Sequence, residues 1–227
     1  MRDLPVPIDA WLFDLDNTLY PHGCDLFALV DERMGGFIAD RLAVDRAEAR
    51  RIQKRYFASH GTTLAGLMAE HDVEPRAFLD HVHDVPLDRL REDALLVEAI
   101  ARLPGRKLVF TNGDAAYAAR VLDRLGLGDA FEGVHDIHAM GLVPKPAPAS
   151  YAALCKRWAI DPASALFVDD MAKNLAPAKA LGMTTVWLDN GSEQAEGRTH
   201  TSASPSFVDI RITDLAAWLH DLTKESA

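Results

Sequence analysis

Cysteine is scarce in this chain: Cys24 and Cys155 are the only two among 227 residues, and they form no CxxC. That excludes a thiolate zinc site and a dense disulfide framework, and leads us to expect free thiols in a reducing cytoplasm. Long apolar runs are missing too, with no stretch approaching the ~20 residues of a membrane helix. At the start, Pro5 and Pro7 precede a short apolar run that acidic residues soon interrupt, which is not the pattern of a secretory leader. Positive charge is in deficit: 24 Lys and Arg stand against 34 Asp and Glu, a formal net charge of −10. Such a balance repels phosphate backbones and anionic lipid, so neither a nucleic acid polymer nor a membrane is an expected partner. There is no internal repeat. What is present is the composition of an ordinary globular protein, 48% hydrophobic and 26% charged, with length enough for one substantial core and a smaller attachment.

The chain divides into three textures. Ala10 to Leu15 is a short apolar run stopped by Asp14, Asp16 and Asn17, which reads as a buried strand ending in a polar turn. From about Cys24 to Ala101 the text is charged and helix-favouring, with apolar residues at spacings of three and four, as in Leu26, Leu29, Val30, Met34, Phe37, Ile38 and Leu42. Breaks at Gly61, Pro75 and Pro86 divide it into helices over Asp25 to Leu42, Asp45 to Ser59, Leu64 to Glu70, Pro75 to Val82 and Leu87 to Leu103. After Pro104 and Gly105, short apolar strands alternate with helices. Strands are expected at Lys107 to Thr111, Phe131 to Ile137, Ala165 to Val168 and Thr184 to Leu188; helices at Ala115 to Leu125, Pro148 to Trp158, Ala172 to Leu181 and Ile212 to Leu222. Asp189 to Ser206 is a polar surface loop. Alternation of this kind predicts an α/β fold with a doubly wound, mostly parallel, Rossmann-like sheet. The first strand needs that sheet for partners. We therefore expect a core of residues 1–20 and 102–227, with residues 21–101 inserted as a helical cap.

Ligands of open parallel sheets sit beyond the carboxyl ends of the strands. Those ends deliver Asp14, Asp16 and Thr18; Thr111, Asn112, Gly113 and Asp114; Pro144, Lys145 and Pro146; and Asp169 and Asp170. Asp14 and Asp16, two apart, could face one side of an extended backbone, although Asp after a strand is also ordinary turn chemistry. Adjacent Asp169 and Asp170 are costly unless a cation lies near, or else belong to a solvated loop. Together the two pairs suggest a hard cation bound by oxygen, for which Mg²⁺ is the natural choice. Thr111 and Asn112 could donate to a phosphate where Gly113 allows close approach, or simply make a turn that Asn112 or Asp114 caps. Lys145, held between two prolines, could offset the carboxylates.

Four segments, FDLDNTLY (Phe13 to Tyr20), FTNG (Phe110 to Gly113), PKP (Pro144 to Pro146) and FVDDMAKN (Phe167 to Asn174), resemble the four ordered motifs of the haloacid dehalogenase superfamily. The insertion resembles the helical cap of the superfamily's first cap class. The resemblance implies that Asp14 is a nucleophile forming an aspartyl phosphate and that Asp16 acts as acid and then base. It implies Mg²⁺ held by Asp14, the backbone carbonyl of Asp16 and Asp170, with Asp169 behind them or acting through water. Thr111, Asn112, Gly113 and Lys145 would bind the phosphoryl group, and Thr18 would orient the loop. Asn174 stands where many relatives carry an acid. Because phosphatases of the superfamily have the second Asp and dehalogenases lack it, Asp16 implies a phosphatase.

YFASHGTTLAGLM (Tyr56 to Met68) and FLDHVHDV (Phe78 to Val85) resemble the pyrimidine 5′-nucleotidase branch, as do LPGRKLVFTNG and LGMTTVWL. That likeness implies nucleoside 5′-monophosphates such as UMP and CMP as substrates. Tyr56, Thr62 and Thr63 are the cap groups that could contact a leaving group; equally, Gly61 and Thr62 could break and cap a helix. His22 near the hinge could touch substrate or pack there, whereas His81 and His83, two apart, lack the helical spacing of a metal pair. Other small phosphomonoesters, such as sugar phosphates or phosphoglycolate, are the alternative substrates. A non-catalytic binding protein is the alternative class, against which the intact Asp14, Asp16, Thr111, Lys145 and Asp170 argue.

Overall fold

A computed structural model describes residues 4, 6–192 and 204–224. Strand β1 (Ala10–Phe13) is followed by helices α1 (Leu26–Leu42), α2 (Arg46–His60), α3 (Thr63–His71), α4 (Pro75–His83) and α5 (Ala94–Arg102). Then come β2 (Arg106–Phe110), α6 (Ala115–Arg124), β3 (Gly133–His135), α7 (Pro148–Trp158), β4 (Ala165–Asp169), α8 (Ala172–Ala180), β5 (Thr184–Leu188), β6 (Ile210–Ile212) and α9 (Leu215–Lys224). The strands form one sheet in the order β3-β2-β1-β4-β5-β6, and every neighbouring pair is parallel. Every residue of β1, β4 and β5 is buried, as expected where helices cover both faces of a parallel sheet. From β1 the chain winds outward through β2 and β3, then returns to β4 on the other side. This reversal beside β1 opens a crevice at the carboxyl ends of β1 and β4.

Local chemistry explains most boundaries. Asp45 accepts from the Glu48 amide at 2.8 Å to start α2, Thr62 from Ala65 at 3.1 Å to start α3, and Asp114 from Tyr117 at 2.8 Å to start α6. Helix α6 ends ahead of Gly126, whose φ of 74° suits a residue without a Cβ, while the Leu127 amide returns to the Leu122 carbonyl at 2.8 Å.

Two expectations need correction. No helix runs from Leu87: the segment to Asp93 is irregular, and α5 begins only where Asp93 takes the amides of Leu95 and Leu96. The expected helix from Ile212 begins at Leu215, because Ile210–Ile212 pairs with β5 as an edge strand and Asp214 accepts from the Ala217 amide. A three-residue strand is too short to show a clear alternation. Of the loop from Asp189 to Ser206, residues 193–203 lie outside the described residues.

Helices α1 to α4 pack on one another, α1 against α2 and α4, and α2 against α3. Helix α5 instead lies against α9, and α8 covers β4 and β5. Cys24 and Cys155 are free thiols, and no helix among the described residues is long and apolar enough to cross a membrane.

Candidate active site

The carboxyl ends of β1, β2 and β4 bring together residues far apart in the chain. The Asp14 amide donates to the Val168 carbonyl at 2.9 Å, continuing the sheet by one residue and fixing the Asp14 backbone beside β4. Lys145 is the centre of the rim, only 1% exposed. Its Nζ donates to Asp14 Oδ1 at 2.7 Å, Asp169 Oδ2 at 2.7 Å and the Phe110 carbonyl at 2.8 Å, so all three ammonium protons have acceptors. The rings of Phe110 and Phe167 flank it, with centroids 5.0 and 5.1 Å away. Burying a charge this deeply is tolerable only with such complete pairing. Burial lowers the affinity of Lys145 for its proton, but Asp14 and Asp169 outweigh this, and the side chain remains an ammonium.

Asp14, Asp169 and Asp170 are all buried, and one carboxylate oxygen from each lies within 4.8 Å of the other two. Three carboxylates at this range could hold a metal ion, and an all-oxygen donor set suits a hard one. Asp169 is already compensated: it takes the Asn174 amide at 2.9 and 3.0 Å and the Met171 amide at 2.8 Å besides Lys145. Asn174 thus stabilises a neighbouring carboxylate by donating to it, where an acid would repel it. Burial pushes the Asp14 carboxyl up to about 7; Lys145 opposes this, while Asp169 and Asp16 add to it. A cation beside Asp14 and Asp170 would restore the ionised form, so these residues fit a metal ion.

Around this cluster, the Thr18 hydroxyl donates to Asp14 Oδ2 at 3.3 Å and accepts from the Asp170 amide at 3.2 Å, tying the β1 loop to the β4 loop. Asn17, at φ 59°, has its carbonyl held by Asn190 Nδ2 at 2.6 Å. Asp16 Oδ1 accepts two phenol hydroxyls, Tyr20 at 2.6 Å and Tyr117 at 2.8 Å. The Thr111 hydroxyl accepts from the Gly113 amide at 3.0 Å and retains a proton to donate. Asn112 makes a reciprocal pair with the Lys145 backbone, at 2.8 and 3.2 Å. Its side chain therefore fixes Lys145, and the second Nδ2 proton remains to donate.

The residues of the α1–α4 layer separate into two groups. Tyr56 is fully buried, its hydroxyl meeting Glu70 Oε2 at 2.9 Å and His71 Nε2 at 2.6 Å inside the α2–α3 pair. Thr62 caps α3 and Thr63 is buried in its first turn, so the structure gives these three residues work within the helices. His81 packs edge-on against Phe37 at 5.4 Å. Other groups of the helical layer reach the sheet rim. A Cβ on Gly61 would lie 3.8 Å from Pro144, Lys173 Nζ lies 4.2 Å from the Phe57 ring centroid, and His83 Nδ1 lies 2.5 Å from Asp114 Oδ2. Tyr20, Tyr117, Phe57 and Asn190 carried no separable signal, since each is an ordinary residue for its local element.

The fold and rim define a class: an α/β domain with a carboxylate-centred site at the point where the strand order of its parallel sheet reverses. A family model described as haloacid dehalogenase-like hydrolase matches residues 8–182, and the chain belongs to that family of hydrolases. It is 28% identical over 201 residues to "Phosphate metabolism protein 8" of Saccharomyces cerevisiae, covering 79% of this chain and 62% of that protein, so it spans less than two thirds of that relative. It is 30% identical over 219 residues to "Phosphoglycolate phosphatase" of Mesorhizobium japonicum, covering 90% of this chain and 93% of that one. A solved haloacid dehalogenase-type phosphatase from Thermococcus onnurineus has the same fold, with a TM-score of 0.60, 20% identity and coverage of 97% and 98%.

Proposed function

We propose that this protein hydrolyses small phosphomonoesters through an aspartyl-phosphate intermediate, and that pyrimidine nucleoside 5′-monophosphates, UMP and CMP, are its preferred substrates. The observation that carries the chemistry is Asp14 fixed beside β4, paired to a buried Lys145 and followed two residues later by Asp16. Helices α1 to α4 act as the cap, while α5, lying against α9, belongs to the core. Mg²⁺ would be the fitting cation: Asp14, the Asp16 backbone carbonyl and Asp170 would hold it, and when bound it would neutralise charge on the phosphoryl oxygens.

A carboxylate oxygen of Asp14 attacks phosphorus in line, and the bond from phosphorus to the substrate's ester oxygen breaks. Asp16 gives that departing oxygen its proton. Asp16, now a carboxylate, takes a proton from water as the water attacks phosphorus, freeing Asp14 and phosphate. Thr111 and Lys145 stabilise the transferring oxygens, and Asn112 and Asn174 hold the groups that do so. The cap excludes water from the rim and shapes the leaving-group pocket.

The likeness of the Tyr56 to Met68 and Phe78 to Val85 segments to the pyrimidine nucleotidase branch supports the nucleotide assignment. A second reading, phosphoglycolate or another small phosphomonoester, is favoured by the relative that is 30% identical over 90% of this chain. The experiment is phosphate release from UMP, CMP, phosphoglycolate and sugar phosphates with Mg²⁺. Highest kcat/KM on UMP or CMP is expected, with loss on adding EDTA and in Asp14→Asn. Highest kcat/KM on phosphoglycolate would move the assignment to the second reading, and full activity in Asp14→Asn would overturn the mechanism. The expected location is the cytoplasm.

A further inference from the structure

Resting on the reading of Asp16 as the proton carrier, we infer that Tyr117 is a positioning residue for that carboxyl, held in place by the cap through His83. Tyr20 and Tyr117 donate to the same oxygen, Asp16 Oδ1, at 2.6 and 2.8 Å. An oxygen accepting two such bonds has little capacity left for a proton, so the proton travels on Oδ2. The carboxyl is thereby prevented from turning about its last torsion, a broad one in an unrestrained Asp. Oδ2 is kept at one place on the rim, where transfer needs heavy atoms ~2.6 to 3.2 Å apart.

The Tyr117 ring is clamped in turn. It stacks on the His83 imidazole, with centroids 4.3 Å apart and planes 8° from parallel. His83 Nδ1 lies 2.5 Å from Asp114 Oδ2, and Arg120 donates to the carbonyls of His83 and Val85 at 3.1 and 2.9 Å. Asp114, which caps α6, and Tyr117 and Arg120 within it are spaced by three and lie toward one side of the helix. That face grips the end of α4 and reaches Asp16 from the same side, which links seating of the cap to orientation of the proton carrier.

The test compares kcat/KM for an alkyl phosphate, whose leaving oxygen needs a proton, with p-nitrophenyl phosphate, whose leaving group departs as a stable anion. In Tyr117→Phe, kcat/KM on the alkyl ester should fall roughly tenfold, part of the ~10² to 10⁴ that general acid catalysis supplies, with less than about twofold loss on p-nitrophenyl phosphate. The alkyl-ester loss should fall on kcat with KM unchanged. Tyr20→Phe, on a different element, should show the same split, and His83→Phe, which keeps a flat ring but loses the bond to Asp114, a smaller one. Equal losses on both esters in folded Tyr117→Phe and Tyr20→Phe would overturn the inference alone. Release of phosphate from neither ester by the unaltered protein would overturn the reading of Asp16, and this inference with it.

Discussion

At the sheet rim, Lys145 is buried with its charge, joined to Asp14 across 131 residues of sequence and to Asp169 across 24. Inside α1 to α4, Tyr56 is buried just as deeply, but it is a neutral phenol bonded to Glu70 and His71, 14 and 15 residues away on the next helix. The rim concentrates charge that only the assembled sheet can neutralise, whereas the Tyr56 hydroxyl is satisfied by neighbours on the next helix. Reactivity belongs to the first arrangement, because groups held close in a poorly solvated place interact strongly with any charge that arrives. The second, in the α2–α3 pair, buries a neutral group whose partners need no sheet.

Asp14→Asn, already set as the test of mechanism, breaks the contrast most severely. Next, Lys145→Met keeps length and removes the ammonium, leaving the buried carboxylates of Asp14 and Asp169 without their shared cation. A loss of ~3 to 5 kcal/mol is expected in urea unfolding. A loss below about 1 kcal/mol would mean that solvent, rather than Lys145, compensates Asp14 and Asp169. Gly66→Ala probes the cap: its Cβ would lie 2.3 Å from Tyr56 Cγ, so the α2–α3 pair must spread. This should cost ~1 to 3 kcal/mol, with kcat on p-nitrophenyl phosphate little changed. Unaltered stability would contradict the tight α2–α3 packing.

Thr62→Ala should cost ~1 kcal/mol through the lost cap of α3, measured by thermal unfolding. A change in the ratio of kcat/KM between UMP and phosphoglycolate in that variant would place Thr62 against the leaving group. The smallest effect concerns acid stability. Burial raises the Asp114 carboxyl, but the bonds from His83 and the Tyr117 amide prevail, leaving it below the ordinary value. Its stabilisation is therefore complete above about pH 4 and disappears as pH falls through the lower folded value. Asp114→Asn should flatten the fall of Tm on the acid side, and an identical profile in the variant would remove Asp114 from the account.

Much of this was legible along the chain. The strand after Pro104, the helix from Pro148 to Trp158 and the strand from Thr184 to Leu188 announce themselves by apolar periodicity, Pro at a helix start and Gly beyond a helix end. The edge strand Ile210–Ile212 was not legible, since three residues read equally well as the start of α9. Nor was the irregular stretch after Leu87, where apolar spacing mimics a helix but Asp93 supplies the actual start.

For the site, the residue types and their order were determined by sequence alone: acids after β1 and β4, a hydroxyl and an amide after β2, and a lysine between prolines. Such features depend on neighbours a few positions away, where backbone preference and turn chemistry act. Tertiary structure decided what each group does. It turned Asn112 onto the Lys145 backbone, set Asn174 to hold Asp169, buried Tyr56 in the α2–α3 pair and brought Tyr117 to Asp16 from 101 residues away. The bonds of Asn112 and Tyr117 have no local signature, because they join elements that meet only when the sheet and its helices pack.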